Sequence, residues 1–114
     1  MAKYERIFSG NFNDFLNNLH RDITQGSATA TYEDGSDFSA GQVKMAVRVY
    51  ERYSMIGKNR VSMNISVLDD GQNLHVSAIT SGGSQAMFFK INTLGEGSFL
   101  DLCIKSIERY TSRS

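Results

Sequence analysis

The sequence predicts an α+β fold in which an antiparallel sheet of five to six strands carries two helices on one face. Two stretches place apolar residues at helical spacing, and several others alternate apolar and polar residues with period two. Glycine-containing turns separate the alternating stretches. Because short turns join consecutive strands antiparallel, the predicted order is β-α-β-β-β-β-(β)-α, with both helices on the apolar side of the sheet.

The first helix is predicted over residues 12–25. Asn11 is the candidate N-cap and Gly26 the stop. The apolar stripe of this helix consists of Phe12, Phe15, Leu16, Leu19 and Ile23. The last helix has two candidate starts, Thr93 and Ser98, and its stripe consists of Phe99, Leu102, Cys103, Ile107 and Tyr110.

Strands are predicted where apolar and polar residues alternate, at 3–9, 28–32, 43–53, 61–67, 74–78 and, for the optional last strand, 87–91. Between the second and third strands, residues 34–41 contain aspartate, glycine and serine and predict a turn or loop. The Asp69-Asp70-Gly71-Gln72 segment predicts a tight hairpin, since glycine adopts a positive φ easily.

Length and composition indicate one globular domain over residues 1–114, with 12 basic and 12 acidic residues balancing to zero net charge. This balance argues against nucleic acid as the partner and is compatible with self-association. Cys103 is the only cysteine, which suits a reducing compartment. With no leader-like or membrane-spanning apolar run in the sequence, we expect a cytoplasmic protein without membrane attachment.

Two stretches, VRVYERYS at 47–54 and SGGSQAMFFKINT at 81–93, resemble a family of small single-domain bacterial proteins of unknown function. The resemblance covers nearly the whole chain and implies a bacterial, cytosolic origin. It implies no activity and assigns no residue a role. The arrangement of helices on a sheet also resembles the helix-grip and TATA-binding-like folds, which host many functions.

No catalytic, metal or cofactor site is predicted. His20 and His75 are the only histidines, and neither lies in a pattern of metal ligands. Cys103 lies in the apolar stripe of the last helix, where a thiol packs rather than reacts. The aspartates at 34, 37, 69 and 70 fall in predicted turns, and the Ser81-Gly82-Gly83-Ser84 segment lacks the lysine of a phosphate-binding loop.

One polar surface is predicted on the sheet. Lys44, Arg48, Tyr50 and Arg52 share a side of the third strand, and we expect His75 and the polar residues Ser62, Asn64, Ser66 and Ser77 on the same side. Three interpretations remain open: a solvated face, a surface where two copies meet, or a surface for a ligand or single-stranded nucleic acid.

These observations favour a non-catalytic interaction domain that forms a homodimer. The alternative is a module that binds a small apolar molecule or lipid in a cavity between helices and sheet. That cavity would be lined by Phe12, Phe15, Met45, Met63, Phe89 and Phe99. An enzyme is disfavoured, because no reactive constellation is present in the sequence.

Overall fold

The computed structural model describes residues 1–54, 59–82 and 98–113. Within them the chain forms five strands and two helices, which confirms the predicted α+β class. Their bounds are β1 Ala2–Phe8, α1 Phe12–Gly26, β2 Ala30–Ala40, β3 Val43–Ser54, β4 Asn59–Asp69, β5 Leu74–Gly82 and α2 Ser98–Ser112. The optional strand predicted at 87–91 lies outside the described residues.

The five strands form one antiparallel sheet in the order β1-β5-β4-β3-β2. Strands β2 to β5 are the predicted meander. Helix α1 carries the chain from β1 at one edge of the sheet to β2 at the other, and β5 then returns to pair with β1. The two helices pack against each other and against one face of the sheet.

Helix α1 begins as predicted. The Asn11 side chain accepts a hydrogen bond from the Asp14 backbone N–H at 2.9 Å, which satisfies one of the free amides of the first turn. The buried residues of the helix are Phe12, Phe15, Leu19 and Ile23, four members of the predicted stripe. Neither described helix is long and apolar enough to cross a membrane.

The two helices are joined to β1 by a group of three aromatic rings. Phe8, Phe15 and Tyr110 meet edge to face, with ring centroids 5.0 to 6.0 Å apart. This geometry adds about 0.5–1.5 kcal/mol per pair to the burial of the rings. The group fixes the end of the sheet at which both helices lie over β1.

Strand β2 is much longer than predicted. The turn or loop expected at residues 34–41 is wrong, because residues up to Ala40 pair with β3, and the turn lies at Gly41, which has a φ of 61°. A register shift between Tyr32 and Asp34 marks a bulge in this edge strand. Bulges and acidic residues are usual at sheet edges, where they oppose pairing with other chains, so here they do not mark a loop.

The side of β3 that faces the helices is the opposite of the predicted one. Directly paired residues of neighbouring strands share a face, and Arg48 pairs with Ile65 and Tyr50 with Met63. Ile65 and Met63 are fully buried under the helices. The side chains of Ala46, Arg48, Tyr50 and Arg52 therefore face the helix layer, and Val43, Met45, Val47 and Val49 face away from it.

Candidate functional site

The predicted polar surface does not exist as one face. Lys44, Arg48, Tyr50 and Arg52 lie on the helix side of the sheet, whereas His75 lies on the other side with Ser62, Asn64, Ser66 and Ser77. Placing these two groups together was wrong, because it assumed that the valines of β3 face the same way as those of β4.

Tyr50 connects the sheet to α1. Its side chain is 1% exposed, and its hydroxyl lies 2.9 Å from Nδ1 of His20 in a shared hydrogen bond. The ring of Tyr32 stands edge-on to both, with centroid distances of 5.5 and 5.6 Å. Burial raises the pKa of Tyr50 to about 12, so the hydroxyl is neutral at physiological pH. This group binds α1 to β2 and β3.

The two arginines of β3 are also held by neighbours. Arg48 donates to the carboxylate of Asp37 at 2.9 Å and to the carbonyl of Val47 at 2.9 Å. Arg52 lies over the ring of Phe99, 5.1 Å from its centroid, and burial lowers the pKa of its guanidinium. Arg48 thus links β3 to β2, and Arg52 links β3 to the last helix.

The sheet face opposite the helices is the second surface. We call it the open face, because within the described residues its apolar side chains are exposed or half-buried. From one edge to the other, it carries Lys3, Glu5 and Ile7 of β1; His75, Ser77, Ile79 and Ser81 of β5; Ser62, Asn64, Ser66 and Leu68 of β4; Val43, Met45, Val47, Val49 and Glu51 of β3; and Asp34, Ser36 and Phe38 of β2.

A row of four apolar side chains and one imidazole crosses the open face, and we call it the apolar row. Consecutive strand pairing places Phe38, Met45, Leu68, His75 and Ile7 side by side across all five strands. Phe38 is 63% exposed and Ile7 is 61% exposed. Along β3, Val43, Met45, Val47 and Val49 form a column that meets this row at Met45.

A shallow depression of about 340 Å³ lies on the open face between β1, β5 and β4. Its lining includes Ile7, Leu68, Ser66 and His75. The imidazole of His75 is held from the side by the carboxylate of Asp70, with a distance of 2.8 Å from Nε2. The lining of the depression therefore combines apolar side chains with the polar groups of Ser66 and His75.

The side chains that could have reacted are engaged. Cys103 is fully buried, and burial raises the pKa of its thiol to about 12. Asp70 accepts hydrogen bonds from the backbone of Asn73 and Gln72 in the β4–β5 turn. In the described part of the chain, no three His, Cys, Asp or Glu side chains come together as a metal centre requires.

The residues expected to line an apolar cavity have different positions. Phe15, Met63 and Phe99 are packed in the core with at most 1% exposure. Phe12 and Met45 line a groove between α1 and the β2–β3 hairpin, and Phe89 lies outside the described residues.

The sequence contained a signal for the open face that the alternation alone did not reveal. Ile7, Leu68 and Ile79 are large apolar residues on the polar side of their strands, out of phase with the core residues next to them. A second set of apolar residues on the otherwise polar side of three strands is a pattern from which the open face could have been recognised.

Fold and surface together define a small α+β domain whose sheet has an apolar centre on both faces. The family comparison agrees with the resemblance seen in the sequence: the chain belongs to a family of unknown function, DUF6054, whose model matches residues 1–111. A search of the curated proteins gives no match.

Proposed function

We propose that this protein is a non-catalytic interaction domain that self-associates through the open face of its sheet. The observation that carries the proposal is the apolar row and column on that face, centred on Met45, Val47 and Leu68. Two copies packed face to face would form a sandwich in which both sheets are covered on both sides.

The amount of apolar surface supports an interface. A sheet covered by helices on one face usually carries polar residues on the other, and large exposed apolar patches mark interaction sites. Here Phe38, Ile7, Val43 and Ile79 are each at least 39% exposed on the same face. Burying this surface is favourable by about 25 cal/mol per Å² of apolar area.

The dimensions of the face also fit. Five strands spaced about 4.8 Å apart and about nine residues long cover about 700 Å². A stable interface buries about 800 Å² per partner, so one open face is close to the size that a dimer needs.

The charges lie where an interface tolerates them. Lys3 and Glu5 stand on edge strand β1 and pair with each other at 4.0 Å. Glu51 and Arg60 pair at 3.1 Å near the end of the sheet away from the apolar row. Asp34 has no ion pair among the described residues, but it stands on edge strand β2. Because the other charges are paired and Asp34 lies at an edge, two copies can meet through an apolar centre without burying an unpaired charge at that centre.

A non-catalytic role is supported by the engagement of the reactive groups. The thiol of Cys103 is buried among core side chains, His20 is bonded to Tyr50, and His75 to Asp70. Each of these groups has a structural partner that explains its position.

Light scattering after gel filtration tests the proposal. At micromolar concentration we expect a mass of twice 12.7 kDa. Val47→Lys puts a charge in the centre of the open face, which no described helix or strand covers. We expect this variant to be monomeric, because an interface would bury the charge, and to keep an unchanged circular dichroism spectrum.

Asn17→Lys is the matched control, because it adds the same charge on the exposed side of α1. This variant should remain dimeric. A monomeric wild-type protein at high concentration, or a Val47→Lys variant that dimerises as well as the wild type, would contradict the proposal.

A second candidate function, binding of a small apolar molecule, is favoured by the groove between α1 and the β2–β3 hairpin. The groove has a volume of about 380 Å³ and is lined by Phe12 and Leu16 of α1, with Lys44 among its polar residues. Phe38 and Met45 also border it, although strand pairing assigns their side chains to the open face. Grooves and clefts of this size hold small ligands. Octanoate should give saturable amide NMR shifts at these residues, and shifts spread over the whole sheet would argue against the groove.

A further inference from the structure

Three arginines of the helix layer line one cavity on the side of the molecule opposite the open face. Arg21 belongs to α1, Arg109 to α2, and Arg113 directly follows α2. The cavity has a volume of about 110 Å³, and its remaining lining residues are Asn18, Asp22, Ser106 and Tyr110. Arg113 follows Arg109 by four residues, and its backbone N–H donates to the carbonyl of Tyr110 at 3.2 Å in the turn that ends α2.

The lining carries an excess of positive charge. Three guanidinium groups stand against the carboxylate of Asp22 in the lining and that of Asp14 beside it, which accepts a hydrogen bond from Tyr110. The local charge is therefore positive in a chain whose total charge is zero. Guanidinium groups stay charged at every physiological pH, so the excess is permanent. The cavity therefore attracts anions, although the protein as a whole does not.

Asp22 is committed to the wall of the cavity. Its Oδ2 accepts hydrogen bonds from the hydroxyl of Ser106 at 2.6 Å and from Arg109 at 3.1 Å. Burial by itself raises the pKa of Asp22, but these two hydrogen bonds, together with the charges of Arg109 and Arg21, outweigh it and hold the pKa below its ordinary value. Asp22 thus links α1 to α2 and holds one side of the Arg109 guanidinium.

The arginines keep donors for a ligand. A guanidinium has five N–H donors. Within the described chain, Arg109 gives one hydrogen bond to Asp22, and Arg113 gives one to Oδ1 of Asn18 at 3.3 Å. Arg21 donates to the same Asn18 oxygen at 2.5 Å. Arg21 also forms an ion pair with Asp22, with 3.8 Å from Nε to Oδ1, and the guanidinium of Arg113 lies over the ring of Tyr110, 5.3 Å from its centroid. Asn18 and Asp22 thus bring the three groups together, and the hydrogen bonds named here use a minority of their N–H donors.

We propose that this cavity binds the phosphoryl group of a small soluble molecule. A doubly charged, tetrahedral anion can accept from guanidinium groups that approach from different sides, and arginine forms paired hydrogen bonds with phosphate oxygens. The site is a concave space between two helices, so a compact soluble anion fits it better than a flat membrane surface.

Calorimetric titration with inorganic phosphate tests this site at constant ionic strength. We expect saturable binding with one site per chain. Arg109→Gln and Arg113→Gln should each weaken it about tenfold, because each removes charge-assisted hydrogen bonds to the anion. Arg113 lies beyond the end of α2, so its replacement should leave the melting temperature almost unchanged.

Lys105→Gln is the matched control, since Lys105 is exposed on the same helix and is not part of this cavity. It should bind phosphate as the wild type does. Absence of saturable binding, or an equal loss in Lys105→Gln, would overturn the proposal. So would attachment to phosphatidylglycerol vesicles that inorganic phosphate does not displace. Light scattering of the same variants measures their mass in solution, so a loss of phosphate binding can be distinguished from a loss of self-association.

Discussion

At the scale of single residues, the side chains of β3 decide what each face of the sheet becomes. Tyr50 and Arg52 carry a polar group at the end of a long apolar or aromatic body, so they can face the helices and still place that group near the boundary of the core. Tyr50 does so by sharing a hydrogen bond with His20. With these residues inward, the valines of β3 necessarily face outward.

The contribution of Tyr50 can be measured by Tyr50→Phe. The substitution keeps the buried ring and removes the hydroxyl that His20 contacts, so we expect the free energy of unfolding to fall by about 1 kcal/mol. Urea denaturation measures it. Tyr53→Phe, at a more exposed position on the same strand, should have almost no effect, and an equal loss in both variants would contradict this role of Tyr50.

The reactivity of Cys103 reports on the core. Because its thiol is buried and its pKa is raised to about 12, we expect no reaction with a disulfide reagent at neutral pH until the protein unfolds. Asn17→Cys supplies an exposed thiol that should react at once. Rapid modification of both thiols in the native protein would show that α2 does not pack as described.

At the scale of elements, the helices and most strands follow from local sequence. The stripe of α1 and its cap at Asn11 were predicted correctly, since both depend on residues a few positions apart. The extension of β2 to Ala40 could not be predicted in this way. Pairing with β3 overrides the turn preference of Asp34 and Gly35, and a pairing partner distant in sequence is not visible locally.

The β4–β5 turn depends on Asp70. Hydrogen bonds from the backbone of Asn73, the side chain of His75 and the backbone of Gln72 lower the pKa of Asp70 from 3.8 to about 2. A carboxyl group with a lowered pKa stabilises the fold above its unfolded pKa, and this contribution is lost as the pH falls from 3.8 to about 2.

Asp70→Asn should therefore be less stable than the wild type at neutral pH, with the difference shrinking over that acidic range. Urea denaturation at several pH values measures it. Asp34→Asn, in the exposed part of β2, is the control. A difference between Asp70→Asn and the wild type that does not change with pH would contradict the role given to this carboxylate.

Two glycines with positive φ provide a matched pair. Gly41 has a φ of 61° and open space around it, so Gly41→Ala should cost about 1 kcal/mol of backbone strain. Gly82 has a φ of 99°, and a Cβ there would lie 2.7 Å from the carbonyl oxygen of Arg60. Gly82→Ala should therefore lower the melting temperature further than Gly41→Ala. The reverse order would contradict the close approach of Gly82 to Arg60 at the end of β5.

At the scale of the whole molecule, the sheet has an apolar centre on both faces, and within residues 1–54, 59–82 and 98–113 the two helices cover one of them. The fold class and the meander were predictable because alternation and turns specify them. The choice of face was not. A shift of one residue in the pairing of β3 with β4 would move the side chains of one strand to the other face. The observed register sets residue 47 opposite residue 66, and the length of the connection between the two strands does not reveal it. Ile7 and Leu68 were the local sign of a second apolar face.

Self-association through the open face is most directly tested by measuring the distance between spin labels in the dimer. A nitroxide at Asn64→Cys stands on the central strand of that face, whereas one at Asn17→Cys stands on the outer side of α1. Cys103 is buried and stays unlabelled.

Sheets packed face to face lie about 10 Å apart, so labels at position 64 should be within about 20 Å of each other. Labels at position 17, separated by both sheets and both helix layers, should be about 40 Å apart. Dimers with the short distance at position 17 and the long one at position 64 would contradict the account. So would a protein that is monomeric both with and without the spin label.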